Sequence, residues 1–315
     1  MPPKKSYAAR NVREELKREL VDAPWAEYEV QIRDLHKFPI KAPPRAPANA
    51  TRKRWLLLAD AHFPFVDIPT WKVVLRACID LSPDGLVIMG DWGDYATVTN
   101  HEKSEATHQR NLSLLKEFGE CGNALDQLDD AATSAFYRYF LRGNHEWRVD
   151  RYLRSPVCPN NVRDLIPSIP KGLHLAERGY EYIVDKPVTL GTDHLFLHGH
   201  FFSKHHAARH LEALHSSCVY GHTHMPQQFT HSVPIGGGKR KTLVATGLPT
   251  MRDLQREWHE EHRVHTWVNG FGVMEFADGG DIGFAHNVYC VDGHASYGGF
   301  TWDAAKIKGG NVRGS

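Results

Sequence analysis

Two stretches of sequence decide the fold prediction: LFLHGH at residues 195–200 and YGHTHMP at residues 220–226. Each joins a short apolar run to a glycine and two histidines. Apolar runs that end in this way are typical of buried strands, so His198, His200, His222 and His224 are predicted to lie along one edge of a sheet. Imidazole is the commonest metal-binding side chain. A metal site at this edge would also need carboxylates from elsewhere in the chain.

The composition is that of an ordinary globular protein. The 315 residues are 41% hydrophobic and 24% charged. No apolar run approaches the roughly 18–20 residues that span a bilayer, and the N-terminus lacks a signal-peptide core, so no membrane partner is expected. Five scattered cysteines without a CxxC pair favour reduced thiols and a cytoplasmic protein.

The chain is predicted to have three parts. Residues 1–54 hold 13 Lys/Arg against 7 Asp/Glu and end in a Pro- and Ala-rich stretch, which predicts a basic N-terminal arm and linker. Nucleic-acid binding and a merely solvated leader both remain open for this arm. Residues 55–305 form the predicted main domain. The polar, Gly-rich residues 306–315 are predicted to be a flexible tail.

Within the main domain, short apolar runs alternate with amphipathic segments. This pattern predicts an α/β fold, a β-sandwich of two packed sheets flanked by helices. In open α/β sheets, sites form beyond the carboxyl ends of strands. Strands are predicted at 55–59, 86–89, 136–141, 180–184, 195–197, 218–220, 243–246, 271–276 and 282–291. Helices are predicted at 69–81, 146–154 and 203–216, and the region from residue 94 to about residue 132 is predicted to be mostly helical.

Five of the predicted strands end in residues that commonly bind metals. Together they offer oxygen and nitrogen donors for two divalent ions, and such pairs of ions activate a hydroxide for attack on phosphorus. Donors of this kind without a thiolate suit Mn²⁺, with Fe, Zn²⁺ or Ni²⁺ as alternatives. Glycine before a donor is expected where a sharp turn excludes a Cβ. The segments are Asp60-x-His62, Gly90-Asp91-x-x-Asp94, Gly143-Asn144-His145-Glu146, His198-Gly199-His200 and Gly221-His222-x-His224.

These five motifs, in this order, resemble those of the calcineurin-like metallophosphoesterase superfamily over roughly residues 55–250. The resemblance implies a β-sandwich flanked by helices. It also implies that His145 contacts the phosphate and protonates the leaving oxygen, with Asp94 orienting it. The segments DAHFPF, GNHEWRVDRY and YGHTHMP further resemble phage and prophage members. By the same resemblance, the first ion is held by Asp60, His62 and His224, the second by Asn144, His198 and His222, and Asp91 bridges the two.

Some residues have more than one interpretation. The resemblance favours His198 over His200 as the ligand, which leaves His200 as a predicted substrate contact. The rings of Trp92 and Tyr95 are also predicted to contact substrate, by stacking on a nucleobase, with core packing as the open alternative. His206 and His210 have i, i+4 spacing, and a polar helix face explains them better than a metal clip.

The predicted function is hydrolysis of phosphodiester bonds in nucleotides or nucleic acid by a metal-bridged hydroxide, with His145 as the general acid, and hydrolysis of monoesters is left open. One alternative is a Ser/Thr-type protein phosphatase, since those proteins share the sequence LRGNHE. They place an arginine on the phosphate, however, where this chain has Tyr95. The other alternative is a nucleic-acid-binding module whose metal site is structural.

Overall fold

The computed structural model describes residues 54–99, 113–156, 158–190, 194–254, 266–277 and 282–307. The predicted basic arm, apart from its last residue, and nearly all of the predicted tail lie outside these ranges. The described strands are β1 (Arg54–Leu58), β2 (Gly85–Ile88), β3 (Tyr137–Leu141), β4 (Glu181–Ile183), β5 (Val188–Leu190), β6 (His194–Leu197), β7 (Ser217–Tyr220), β8 (Gln227–Gly236), β9 (Lys239–Gly247), β10 (Gly270–Phe276), β11 (Gly283–Tyr289), β12 (His294–Tyr297) and β13 (Phe300–Asp303). The described helices are α1 (Ile68–Leu81), α2 (Leu114–Ala131), α3 (Asn144–Arg154), α4 (Asn160–Arg163), α5 (Ile169–Gly172) and α6 (His206–Leu214), with a 3₁₀ turn at Ala96–Val98.

Two large sheets form the centre of the molecule. The first has six strands in the order β11-β10-β1-β2-β3-β4, and β1 to β4 run parallel to one another. The second has five strands in the order β5-β6-β7-β9-β8, and β6, β7 and β9 are parallel. A separate hairpin, β12-β13, packs against α1.

Alternation along β1 separates two cores. Trp55 and Leu57 point into the apolar layer between the two sheets. Leu56 and Leu58 point the other way, into the layer that α1 and α2 cover. Successive side chains of a strand face opposite sides, so a strand buried on both faces reads as one continuous apolar run. Each fully buried leucine contributes about 1.5–3 kcal/mol of transfer free energy.

The layers are therefore helix, sheet, sheet and helix. Helices α1 and α2 cover the first sheet, and α6 packs on the outer face of the second through Ala207 and Leu211. This confirms the predicted α/β sandwich flanked by helices. Among the described helices, none is both long and apolar enough to cross a membrane.

A long ribbon formed by β8 and β9 was predicted only in part, because the sequence patterns indicated residues 243–246 of β9 and none of β8. Phe229, Val233 and Ile235 alternate with polar residues as a strand requires, but Pro234 argues against a strand. The structure places β8 at the edge of its sheet, where a proline is tolerated because its missing N–H is not needed. The short strands β5, β12 and β13 were also not predicted.

A buried ion network ties α2 to the segment before β4. The guanidinium of Arg178 is fully buried and lies 2.5 Å from Asp126 and 2.6 Å from Asp129. Arg138 on β3 pairs with the same Asp129. The network therefore fixes α2 against the first sheet by charge as well as by apolar packing.

We expect Arg178→Met to lower the free energy of unfolding by about 3–5 kcal/mol, because it leaves two buried carboxylates without their shared cation. Arg76→Met is the matched control: it breaks the partly exposed pair with Asp80 and should cost less than about 1 kcal/mol. Urea denaturation measures both. Equal losses in the two variants would contradict the role given to the network.

Candidate metal centre

The strand registers bring five loops to one edge of the sandwich. In the first sheet, Leu58 pairs with Ile88 and Ile88 with Phe140, so the loops after β1, β2 and β3 leave at the same level. In the second sheet Leu197 pairs with Tyr220, which aligns the loops after β6 and β7. These are the five strand ends at which the sequence places its metal-binding motifs.

The loops bring their donor atoms into three groups, two of which share His62. Within each group the ligand atoms lie within 4.8 Å of one another. Asn144 joins the second group, because its Oδ1 lies 2.8 Å from Nε2 of His198. All seven predicted metal ligands are thus brought together. The groups are Asp60, His62 and His224; Asp91, His198 and His222; and His62, Asp94 and His145.

Each of the first two groups takes residues from both sheets. In the first group Asp60 and His62 follow β1, whereas His224 follows β7. The backbone N–H of His222 donates to the Asp60 carboxylate at 2.8 Å, and the His198 ring donates through Nδ1 to the Met89 carbonyl at 2.9 Å. The loops of the two sheets therefore hold one another in place.

The backbone at these positions is strained. Five of the donor residues have φ angles in the left-handed region, which residues other than glycine rarely occupy. Strain of this kind costs about 1–3 kcal/mol per residue and concentrates at functional sites. The residues and their φ angles are Asp60 (54°), His62 (53°), Asp91 (52°), His222 (69°) and His224 (57°).

The glycines before the donors are required chiefly for space. A Cβ on Gly143 would lie 2.2 Å from Oδ1 of Asp91, and one on Gly221 would lie 2.7 Å from Oδ2 of Asp60. Of the glycines that precede Asp91, Asn144 and His222, only Gly90 has a positive φ, at 95°. The expected sharp turn thus applies to one glycine, whereas close approach of a carboxylate explains the other two.

Glu146 supports the donor cluster, although the sequence patterns indicated no role for it. Its buried carboxylate accepts the backbone N–H groups of Asp91, Trp92 and Gly143 at 2.9 Å each, and that of Gly93 at 3.3 Å. Burial and the neighbouring Asp91 raise the pKa of Glu146, whereas the N–H donors lower it. The net result is a pKa of about 7. The only sequence signal was a glutamate in the first turn of α3.

His145 and Asp94 interact differently from the expected pairing. Nδ1 of His145 donates to the backbone carbonyl of Asp94 at 2.7 Å, and the Asp94 carboxylate is 3.3 Å from that nitrogen. The same carboxylate accepts from Nδ1 of His62 at 2.9 Å and faces Arg252 at 3.4 Å. Asp94 therefore orients His145 mainly through its backbone, and its carboxylate orients His62.

The charges of the site favour ionised carboxylates. Burial alone would raise the pKa of Asp91, but His145 and His198 outweigh it and hold that pKa well below the usual range. Burial lowers the pKa of His62 to about 3, which leaves its ring neutral. Burial also lowers the pKa of His198, yet Asp91 and Asp60 raise it to about 10 overall. A metal ion at His198 must therefore displace a proton.

These residues fit divalent metal ions. Asp60 and Asp91 are buried carboxylates, and no Lys or Arg of the described residues lies within 4 Å of either. Because His62 donates through Nδ1, its Nε2 carries a lone pair, and that atom lies 3.2 Å from Nε2 of His224. Such a concentration of buried acceptors favours a compensating cation. Oxygen and imidazole donors without sulfur suit Mn²⁺, Fe and Zn²⁺.

The structure does not support the predicted substrate contacts of Trp92 and Tyr95. Both side chains are 0% exposed, so neither presents a ring face to a nucleobase. Trp92 packs against Phe63 and donates to the Cys121 carbonyl, and Tyr95 packs against Phe118. The core-packing interpretation holds for these rings.

Phe202 carries an exposed ring beside the donors. Its side chain is 76% exposed, and its centroid lies 6.2 Å from that of His222. Trp147 is only half-buried, but the guanidinium groups of Arg142 and Arg154 lie over its ring at 4.3 and 5.1 Å. Phe202 is thus better placed for stacking on a substrate than the rings that the sequence analysis selected.

The histidines around the second sheet have separate roles. His200 is exposed, so its predicted contact with substrate stays a prediction, and its backbone N–H donates to His210 at 3.1 Å. His206 and His210 are buried, in contrast to the predicted polar helix face. His206 is 2.6 Å from the Tyr220 hydroxyl, and the ring of His210 stacks on the Tyr220 ring at 3.8 Å. Both are core residues.

Comparison with known proteins adds little. No family model matches the chain, and no curated protein matches it. Among solved structures 26 chains match, including a single-residue mutant of Vps29 from Entamoeba histolytica. That structure is 15% identical, with a TM-score of 0.37, and the match covers 77% of this chain and 96% of that one. A similarity this weak carries no argument about function, which therefore depends on the site itself.

We expect Gly143→Ala to weaken Mn²⁺ binding by about 10- to 100-fold, because the new methyl group collides with Asp91. Losses of this size are usual when a residue that holds a metal ligand in place is changed. Gly237→Ala in the β8–β9 turn is the control: its φ of 57° strains a Cβ, but nothing lies within 4 Å of that Cβ, so Mn²⁺ affinity should not change. Isothermal titration with Mn²⁺ measures both. Equal affinity in the two variants would contradict the steric argument.

Proposed function

We propose that this protein is a two-metal phosphoesterase of the calcineurin-like type, similar to phage and prophage members, that hydrolyses phosphodiester bonds in nucleotides or nucleic acid. The observation that carries the proposal is the convergence of seven predicted ligands and His145 at one edge of the sandwich. Five free, buried cysteines support a cytoplasmic setting.

The bound ions would supply positive charge that polarises the phosphoryl group and lowers the pKa of water. Asp60, His62 and His224 would hold one ion, Asn144, His198 and His222 the other, and Asp91 lies where it can serve both groups, 3.3 Å from His198 and 4.0 Å from His62. Mn²⁺ is our first choice of metal.

His145 is suited to protonate the leaving oxygen. Its Nδ1 donates to a fixed carbonyl, so Nε2 is the atom that exchanges a proton. As water adds to phosphorus and the bond to the leaving oxygen breaks, a proton on Nε2 passes to that oxygen. Burial lowers the pKa of His145, but Asp91 and Asp94 raise it overall, which favours the protonated ring that a general acid needs.

The substrate half of the proposal rests on two features outside the metal centre. Phe202 offers an exposed ring beside His222 for base stacking, worth about 1–3 kcal/mol. Residues 213–252 contain no Asp or Glu, and within them the β8–β9 ribbon carries the exposed Lys239 and Arg240 and the half-buried Lys241 near its tip. A basic ribbon attracts a polyanion.

The first experiment is Mn²⁺-dependent hydrolysis of bis-p-nitrophenyl phosphate against the monoester. We expect faster turnover of the diester. His145→Ala should reduce kcat by about 10²–10⁴ with an unchanged metal content, because it removes only the proton donor. Asp91→Asn should lose both metal and activity, because it removes the negative charge between the two groups.

Other outcomes would redirect the assignment. Preference for the monoester together with hydrolysis of phosphoserine peptides would support a protein phosphatase instead. No hydrolysis of either ester by metal-loaded protein would favour the nucleic-acid-binding module with a structural metal site. Equal metal loss in His145→Ala and Asp91→Asn would contradict the separate roles given to these two residues.

The ribbon makes a further prediction for long substrates. Strand β8 starts beside His224, and its ten residues place the tip about 30 Å away. Lys239→Gln with Lys241→Gln should weaken binding of a 30-nucleotide single strand and reduce the salt slope by about 1–2, whereas bis-p-nitrophenyl phosphate turnover should not change. Lys171→Gln with Lys186→Gln, both exposed, is the control. The same loss in both double variants would show a nonspecific charge effect.

A further inference from the structure

A positively charged side chain lies beside His145 without an acidic partner. Arg148 follows His145 by three residues on α3, and its Nη2 is 2.9 Å from Nε2 of His145. Its Nη1 donates to the Asp94 carbonyl at 3.0 Å. These two contacts fix the guanidinium at the edge of the donor cluster, next to the atom that would deliver a proton.

Arg148 differs from the other arginines near it in having no carboxylate. Among the described residues no Asp or Glu lies within 4 Å of its guanidinium, whereas Arg142 pairs with Asp150 and Arg252 faces Asp94. Arg148 is half-buried, so water replaces a counter-ion only in part. A partly buried cation without an anion is unfavourable, and a bound anion would relieve it.

The guanidinium also has donors to spare. Arginine carries five N–H donors, and the contacts with His145 and Asp94 use two of them. A planar guanidinium matches two phosphate oxygens at once, which an ammonium group cannot do. Nε2 of His145 can accept this N–H only while its ring is neutral, so the protonated ring that acts as the acid gives up the contact, whereas an anionic oxygen can take it.

We propose that Arg148 binds a non-bridging oxygen of the substrate phosphate, and that the phosphate takes over the N–H that now contacts His145. The proposal rests on the proposed function, because it identifies the protein group that recognises the phosphate of that reaction. The exchange also frees Nε2 of His145 to face the leaving oxygen. Arg148 would then be a substrate-binding residue rather than a support for His145.

Inorganic phosphate is the probe that tests this directly. Isothermal titration of the Mn²⁺-loaded full chain should give a Kd for phosphate that rises about 10- to 100-fold in Arg148→Met, as expected for the loss of charge-assisted hydrogen bonds. KM for bis-p-nitrophenyl phosphate should rise as well. Arg151→Met is the matched control, since Arg151 is exposed one turn further along the same helix, and its phosphate Kd should equal that of wild type.

Arg148→Lys separates recognition from folding. It keeps the charge but not the planar fork, so its phosphate affinity should fall between wild type and Arg148→Met, with metal content unchanged. An unchanged Kd in Arg148→Met would overturn the proposal. So would a loss of kcat with KM and Kd unchanged, since that pattern belongs to a residue that only positions His145. If Arg148→Met fails to retain metal, the Kd of Arg148→Lys decides, and a wild-type value overturns the proposal.

The test also distinguishes this inference from the proposed function. Phosphate binding that depends on Arg148, in a protein that hydrolyses neither ester, would support the anion site and remove the phosphoesterase assignment. Ester hydrolysis with phosphate binding unaffected by Arg148→Met would keep the function and remove the inference.

Discussion

The arrangement of the site depends on the carboxylate of Glu146. It accepts three consecutive backbone N–H groups from the loop after β2 and one from Gly143, and thereby fixes the loop that carries Asp91 to the start of α3. Asp91 adds one contact between the same two segments, since its Oδ1 accepts the backbone N–H of His145 at 2.8 Å. A buried carboxylate with four donors is strongly held, so the strained backbone of that loop has a rigid support.

Much of the fold and most of the donor cluster could be predicted from the sequence for one physical reason. Strands buried on both faces read as apolar runs, and parallel strands deliver whatever follows them to one edge. The runs before Asp60, Asp91 and Asn144 are of this kind, as are those before His198 and His222. Once those runs are recognised, the convergence of the donors follows without knowledge of any side-chain geometry.

The remaining features depend on packing, which spacing does not reveal. Trp92 follows the same strand as Asp91, yet its ring turns into the core while the carboxylate turns to the site. Glu146 and Arg148 lie on one helix with Trp147 between them, and their roles depend on the direction of each side chain. Strand β8 was missed because none of its residues is buried, so burial left no pattern to recognise.

The two donor groups that take residues from both sheets would give bound metal ions a structural role. An ion held by Asp60 on one side and His224 on the other would be a cross-link between the two halves of the sandwich, as would an ion shared by Asp91 and His222. The free energy of binding such ions adds to the free energy of folding. Metal supply in the cell would then determine both the turnover rate of this protein and its lifetime.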